Sequence, residues 1–185
     1  SFYGRNHPDV AKMLNNIGAV LSSKGDFVAA LVRYQEALAI SQSYFGWNHP
    51  NVAIALSNIG VVLRSQGDYF EALEKFNAAL EILESHFGRN HPDVAVLLDN
   101  VGEVFALKGN FAGALARHQE ALKINESHFG RNHLDVAREL NNIAFVLEQQ
   151  GHFEQAVIQY DSSLAICELL LGHDHPKTQN VRENR

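Results

Sequence analysis

The segment Asn6-His7-Pro8-Asp9-Val10-Ala11-Lys12-Met13-Leu14-Asn15-Asn16-Ile17-Gly18-Ala19-Val20-Leu21 decides the fold. Its residues Val10, Ala11, Leu14, Ile17, Gly18 and Leu21 recur at i, i+3, i+4 and i+7. At about 100° per residue they cover roughly one third of a helix circumference, so one stripe of this helix is buried. Pro8 suits the first helical position because its missing N–H would have no partner there, and Asp9 places an anion at the positive end of the helix dipole. Gly25 breaks the pattern. A second apolar run, Phe27, Ala30, Tyr34, Ala37 and Leu38, follows and closes at Gly46. The spacing predicts a helical hairpin whose helices A and B have roughly 16 to 19 residues each, about 25 Å long.

The hairpin is repeated. Histidines 7, 49, 91, 133 and 175 stand 42 residues apart, and the four prolines, Pro8, Pro50, Pro92 and Pro176, each follow one of them. Aligned without gaps, residues 5–46, 47–88, 89–130 and 131–172 share one residue type at twelve positions. In the first copy these are Asn6, His7, Val10, Ala11, Leu14, Asn16, Val20, Gly25, Ala30, Leu38, Ile40 and Gly46. A period in this range marks a stacked array in which each unit covers its neighbour's apolar face. We therefore read four repeats with these boundaries, preceded by residues 1–4 as the tail of a truncated upstream repeat and followed by residues 173–185 as a C-terminal capping helix. Ser1-Phe2-Tyr3-Gly4 matches Ser43-Tyr44-Phe45-Gly46, and Lys177 to Glu183 keeps only Val181 as an apolar residue. Such polarity suits a terminal cap.

Small residues separate the possible helical repeats. Gly18, Gly60, Gly102 and Ala144 lie on the helix A stripe, and Ala30, Ala72, Ala114 and Ala156 on that of helix B. Small side chains at both contact points let the axes approach to the short end of the usual 8 to 10 Å range. The frame Leu14-x-x-Ile17-Gly18-x-x-Leu21 followed by Gly25-x-Phe27-x-x-Ala30-x-x-x-Tyr34-x-x-Ala37 resembles the tetratricopeptide signature, and recurs in the other copies. The length of 42 rather than 34, with Asn-His-Pro-Asp-Val-Ala opening helix A, is similar to the repeats of kinesin light chains. The resemblance implies an all-α, right-handed superhelical solenoid that binds proteins, adaptor-fashion. Departures are local: Leu134 for proline, His118 for the Tyr34-type aromatic, Ser163 for Ala37, and Gly113 inside the third helix B.

The composition narrows the function. Of 185 residues, 46% are hydrophobic and 19% charged, enough for a core. Fifteen Lys and Arg against twenty-one Asp and Glu, with no basic run, argue against nucleic acid as a partner. The lone Cys167 cannot form an internal disulfide, and no apolar run nears the roughly 20 residues of a membrane span. A soluble, cytoplasmic chain without membrane contact is expected.

Ten histidines raise the question of a metal. The periodic five are separated by at least a helix-packing distance of about 8 to 10 Å, whereas ligands must converge at about 2 Å from one ion. Each periodic ring is instead expected to bond a backbone group at the start of helix A. His173-x-His175 is a weak pair, His118 is read as a core histidine, and Cys167 as a packing residue. No nucleophile elbow, phosphate loop or paired carboxylates occur, so catalytic residues, cofactors and metals are all expected to be absent.

Binding then falls to the side of helix A opposite its buried stripe. In stacked hairpins this side lines the inner wall, giving a candidate peptide groove of Lys12, Asn15, Asn16, Ser57, Asn58, Arg64, Asp99, Asn100, Glu103, Arg138, Asn141, Asn142 and Phe145. Asn16, Asn58, Asn100 and Asn142 form a ladder of amides, each able to donate to and accept from an extended peptide backbone. Similar asparagines in the repeats this chain resembles hold ligand backbone. Phe145 is the best aromatic anchor, and the groove charges alternate in sign. The alternative function is self-association through exposed array ends, with a monomer the default expectation.

Overall fold

The computed structural model describes residues 7–184, and those residues form helices joined by short turns, with no strand among them. The helices are α1 Pro8–Ser23, α2 Phe27–Phe45, α3 Pro50–Gln66, α4 Tyr69–Phe87, α5 Pro92–Leu107, α6 Phe111–Phe129, α7 Leu134–Gln149, α8 Phe153–Leu171 and α9 Pro176–Asn184. Helices of type A have 16 or 17 residues and those of type B have 19, which meets the expected lengths. The match of residues 1–4 to an upstream helix tail lies outside the described residues.

Each helix A starts on its histidine. His7, His49, His91 and His133 are N-caps in extended conformation, and the Nδ1 of each accepts the backbone N–H two residues on, at 3.2 Å. His175 does the same for Lys177 ahead of α9. One of the orphan donors of each helix start is thereby satisfied. The rings also pack: His49 stacks on Phe45 with centroids 4.0 Å apart, and His133 on Phe129 at 4.2 Å. Since His133 supplies the cap, α7 begins normally at Leu134 without the proline of the other copies. Glycine is required where helix B stops: Gly46, with φ 83° and ψ 174°, occupies a region that a side chain essentially forbids.

By packing, the chain divides into one unit running to Arg89 and another beginning at Asn90. In the first, α1 pairs with α2, α2 with α3 and α3 with α4. The hairpins close on glycine: Gly18 lies under Tyr34, where an added Cβ would stand 2.6 Å from the ring, and Gly60 under Phe76, at 2.7 Å. Phe76 is wholly buried, a burial worth about 1.5–3 kcal/mol.

In the second unit α5 pairs with α6, α6 with α7, α7 with α8 and α8 with α9. Gly102 lies under His118, and Ala144 joins Ile143, Leu147, Ala156 and Tyr160 in one cluster. Val136, Ala137, Leu140, Leu164, Ile166, Cys167 and Val181 form another, which carries α9. Thr178 and Val181 are buried, while Lys177, Gln179 and Arg182 stay exposed. Arg182 Nη2 reaches Glu168 Oε1 at 2.7 Å and ties α9 to α8.

Candidate functional site

Two cavities occupy the same place in different repeats. In the first unit Pro8, Asp9, Ala11, Lys12, Asn15, Ser41, Asn51 and Ile54 surround a space of about 390 Å³ between α1, α2 and α3. In the second unit a space of about 400 Å³ between α7, α8 and α9 is lined by residues that include Leu134, Asp135, Ala137, Arg138, Asn141, Cys167, Lys177 and Asn180. Each residue of the first set, shifted by 126 positions or three repeat lengths, gives its counterpart in the second. The cavity thus recurs with the repeat: one edge of a helix A, the C-terminal half of its helix B, and the first turns of the next helix A. Both floors are mainly apolar, and both rims carry an acid, a base and an amide. In the first cavity Asn15 Oδ1 is buried and accepts no hydrogen bond. In the second, Asn141 Oδ1 accepts from Asn184 Nδ2 at 3.3 Å.

At the corresponding place between α5, α6 and α7 the chain fills the space with charge. His118 Nδ1 lies 3.1 Å from Asp99 Oδ1 and 3.3 Å from Glu139 Oε2. Arg138 closes the other side, with Nε 3.2 Å from Asp99 Oδ2, Nη2 3.2 Å from Glu139 Oε1 and Nη1 2.8 Å from Asp135 Oδ1. Asn142 Nδ2 donates to Asp99 Oδ1 at 2.9 Å. The Glu139 side chain is 0% exposed and that of His118 2%. Burial alone would lower the imidazole, but hydrogen bonds to Asp99 and Glu139, with their charges, outweigh it and raise His118 to about 9. Burial, helped by the charge of Asp99, pushes Glu139 up to about 7 against the pull of His118 and Arg138. Asp99 is buried too, yet His118 and Arg138 hold its carboxyl below the usual range. Ionised groups out of water persist only when paired in this way.

The expected groove residues sort into three groups. Lys12, Asn16 and Phe145 are exposed, Asn15, Ser57, Asn58 and Asn141 half-buried. Asp99, Arg138 and Asn142 are drawn into the charge cluster, so Asp99 is a buried core acid instead of an open groove charge, and the expected alternation of sign is spent internally there. Arg64, Asn100 and Glu103 are all partnered, Asn100 Nδ2 donating to Val96 O of its own helix at 3.0 Å. The amide ladder is therefore uneven, and its members in the second unit are engaged. His118 is the core histidine expected, with partners the sequence reading did not assign. Glu139 went unnoticed because it sits on the buried stripe of α7, at the position of Met13, Ala55 and Leu97 in the other copies. The signal was present: an acid in an apolar column, opposite a histidine in an aromatic one.

Cys167 is buried, and burial raises its thiol above the ordinary value. Its neighbour Ser163 donates to Ala137 O at 2.6 Å, which explains a hydroxyl in an alanine slot. His173 pairs with Glu168 at 3.0 Å while His175 caps α9, so the His-x-His pair is engaged elsewhere. None of the described helices is long and apolar enough to cross a membrane.

The tetratricopeptide repeat family matches residues 51–127 in one of its forms and residues 10–51 and 136–177 in another. A comparison with curated proteins finds no match. Among solved structures the chain is similar to BtubC (BKLC) from P. vanneervenii, with a TM-score of 0.79 and 22% identity over 92% of this chain and 68% of that one. It is also similar to a kinesin light chain-like protein of nearly identical TPR-like repeats from Podosopora anserina, with a TM-score of 0.80 and 16% identity over 96% of this chain and 84% of that one. Stacked hairpins closing on small residues, the recurrent 42-residue frame and the sequence matches agree: the chain belongs to the tetratricopeptide repeat family.

Proposed function

We propose that this protein binds an extended peptide segment of a partner protein along the exposed sides of its A helices, without catalysis. Repeats of this family mediate protein–protein interaction, which supports the class of partner. The observation that carries the reading is Asn15. Its buried Oδ1 has no donor and stands at the wall of a cavity that also presents Lys12, Asp9 and Asn51. An unsatisfied buried acceptor costs about 1–3 kcal/mol, which a backbone N–H from a bound peptide would recover. The cavity takes a small apolar side chain of that peptide against Ala11 and Ile54, while Lys12 and Asp9 select mixed charge at its rim. Asn16, Ser57 and Asn58 extend the polar track within the same unit. In the second unit Asn141 and Phe145 are the members left outside the charge cluster.

A peptide array of varied charge, read by fluorescence anisotropy with the best binder, tests this. Asn15→Ala with Asn58→Ala should weaken binding at least tenfold with helicity unchanged. A binder whose affinity is indifferent to both changes refutes the site.

Self-association is supported by one observation. Met13, Ile17 and Val20 make an apolar stripe on α1, respectively 64%, 48% and 56% exposed. Light scattering across a concentration series decides, since a constant monomer mass removes this reading.

A further inference from the structure

We propose that Asp99, His118 and Glu139 form a binding site for one divalent transition-metal ion of the zinc type, held between α5, α6 and α7. Their three ligand atoms lie within 4.8 Å of one another. The imidazole nitrogen is 3.1 and 3.3 Å from the two carboxylate oxygens. Donors bound at about 2.0–2.1 Å around a tetrahedral ion stand roughly 3.3 Å apart, a spacing that the two nitrogen–oxygen distances already have. A nitrogen ligand with two carboxylates favours zinc over magnesium or calcium, which prefer oxygen alone.

The surroundings match an outer shell. Arg138 holds the far oxygens of both carboxylates, and Asn142 donates to Asp99 Oδ1, so each carboxylate is oriented by a neighbour as ligands commonly are. Charge also favours the ion. With His118 protonated, its positive charge and that of Arg138 face Asp99, Asp135 and Glu139, leaving one negative charge in excess. Exchanging the imidazole proton for a divalent cation brings the five groups to neutrality. Arg138, its side chain 42% exposed, forms the solvent side through which an ion would pass.

The repeat supplies the third argument. The place of Asp99 is Asn15, Ser57 or Asn141 in the other copies, that of His118 is Tyr34, Phe76 or Tyr160, and that of Glu139 is Met13, Ala55 or Leu97. Two polar departures from aromatic and apolar columns, His118 and Glu139, meet the one acid in a column of neutral polar residues, at a point where uncharged residues would hold the stack as well or better. Beside them in register, Asn125 occupies the position of Ser41 and Cys167, and its buried Nδ2 has no partner. Sequence spacing concealed the set because its members lie on three helices.

Zinc titration by calorimetry on the whole chain tests the site, with cobalt(II) absorption as a second readout. One ion per chain should bind with a dissociation constant at or below about 10 μM at pH 8. Binding should vanish in the variant Asp99→Asn/His118→Phe/Glu139→Leu, built from residues the other repeats use, and weaken about ten- to hundredfold in Asn142→Ala. Because proton and metal compete for Nδ1, affinity should climb about tenfold per pH unit toward pH 9, whereas a site on an ordinary imidazole levels off above about 6.5. Absence of stoichiometric binding, or binding that survives the triple substitution, overturns the proposal. If the triple variant does not fold, an unchanged cobalt spectrum in Glu139→Gln overturns it equally.

Discussion

The His118 ring lies so close over Gly102 that a Cβ on the glycine would stand 2.8 Å from Nε2. Tyr34 and Phe76 approach Gly18 and Gly60 as closely, but neither has a polar partner like those that fix His118. Replacing glycine in a helix by alanine gains up to about 1 kcal/mol of helix propensity, while overpacking costs about 1–3 kcal/mol. Around His118 the second term wins, because a ring clamped by two carboxylates cannot withdraw. Gly102→Ala should therefore lower stability by about 1–2 kcal/mol in urea unfolding. A stabilised variant would show the contact to be softer than its geometry.

The charge cluster should behave as a unit. Removing one member strands the others in the core, and breaking a buried pair costs about 3–5 kcal/mol. His118→Phe alone should show a loss of that size. The triple replacement Asp99→Asn/His118→Phe/Glu139→Leu removes the stranded charges and leaves Arg138 paired with Asp135 at 2.8 Å. Its stability should equal or exceed that of the parent by up to about 4 kcal/mol. Additive single losses in denaturant unfolding would contradict a coupled network.

Stability should fall as pH rises from mildly acidic to alkaline in metal-free buffer. His118 is raised to about 9, so its stabilising contribution is complete below the unfolded value near 6.5 and is lost as pH climbs through 9. Glu139 is raised to about 7 from 4.5, so the folded state favours its protonated form and loses that advantage as pH climbs through 7. Asp99 is lowered and acts oppositely, supporting the fold above the ordinary carboxylate range and failing as acid protonates it. Melting temperature should thus decline between pH 6 and pH 10, on the order of 5 °C more than in the triple variant. Parallel profiles for the two proteins would remove the cluster as the cause.

The helical hairpins were legible in the sequence because spacing and period are local signals. Gly18 under Tyr34, Gly46 at the end of α2 and His49 at the start of α3 each stand where the 42-residue frame puts them. The groove was less legible. Facing direction on an ideal helix sets Asp99 and Asn142 on an outward side, but attraction to His118 on the other helix of its own hairpin and to Arg138 on the next hairpin draws Asp99 inward. Such a contact depends on which residues different helices bring together. The cavities were hidden for a related reason: Asn15, Ser41 and Asn51 lie on three helices, and only stacking shows that they share a wall.

The capping histidines give a local prediction. His49 Nδ1 accepts the Asn51 N–H at 3.2 Å, and its ring stacks on Phe45 at 10° between planes. Loss of an N-cap acceptor costs about 0.5–2 kcal/mol, and loss of a ring contact about 0.5–1.5 kcal/mol beyond area. Asparagine restores a cap acceptor but no ring. His49→Ala should therefore destabilise by about 1–3 kcal/mol, and His49→Asn by roughly half as much. The ordering of the two variants in urea unfolding carries the argument: equal losses would mean that the ring alone holds the junction of α2 and α3, and that the hydrogen bond to Asn51 contributes nothing.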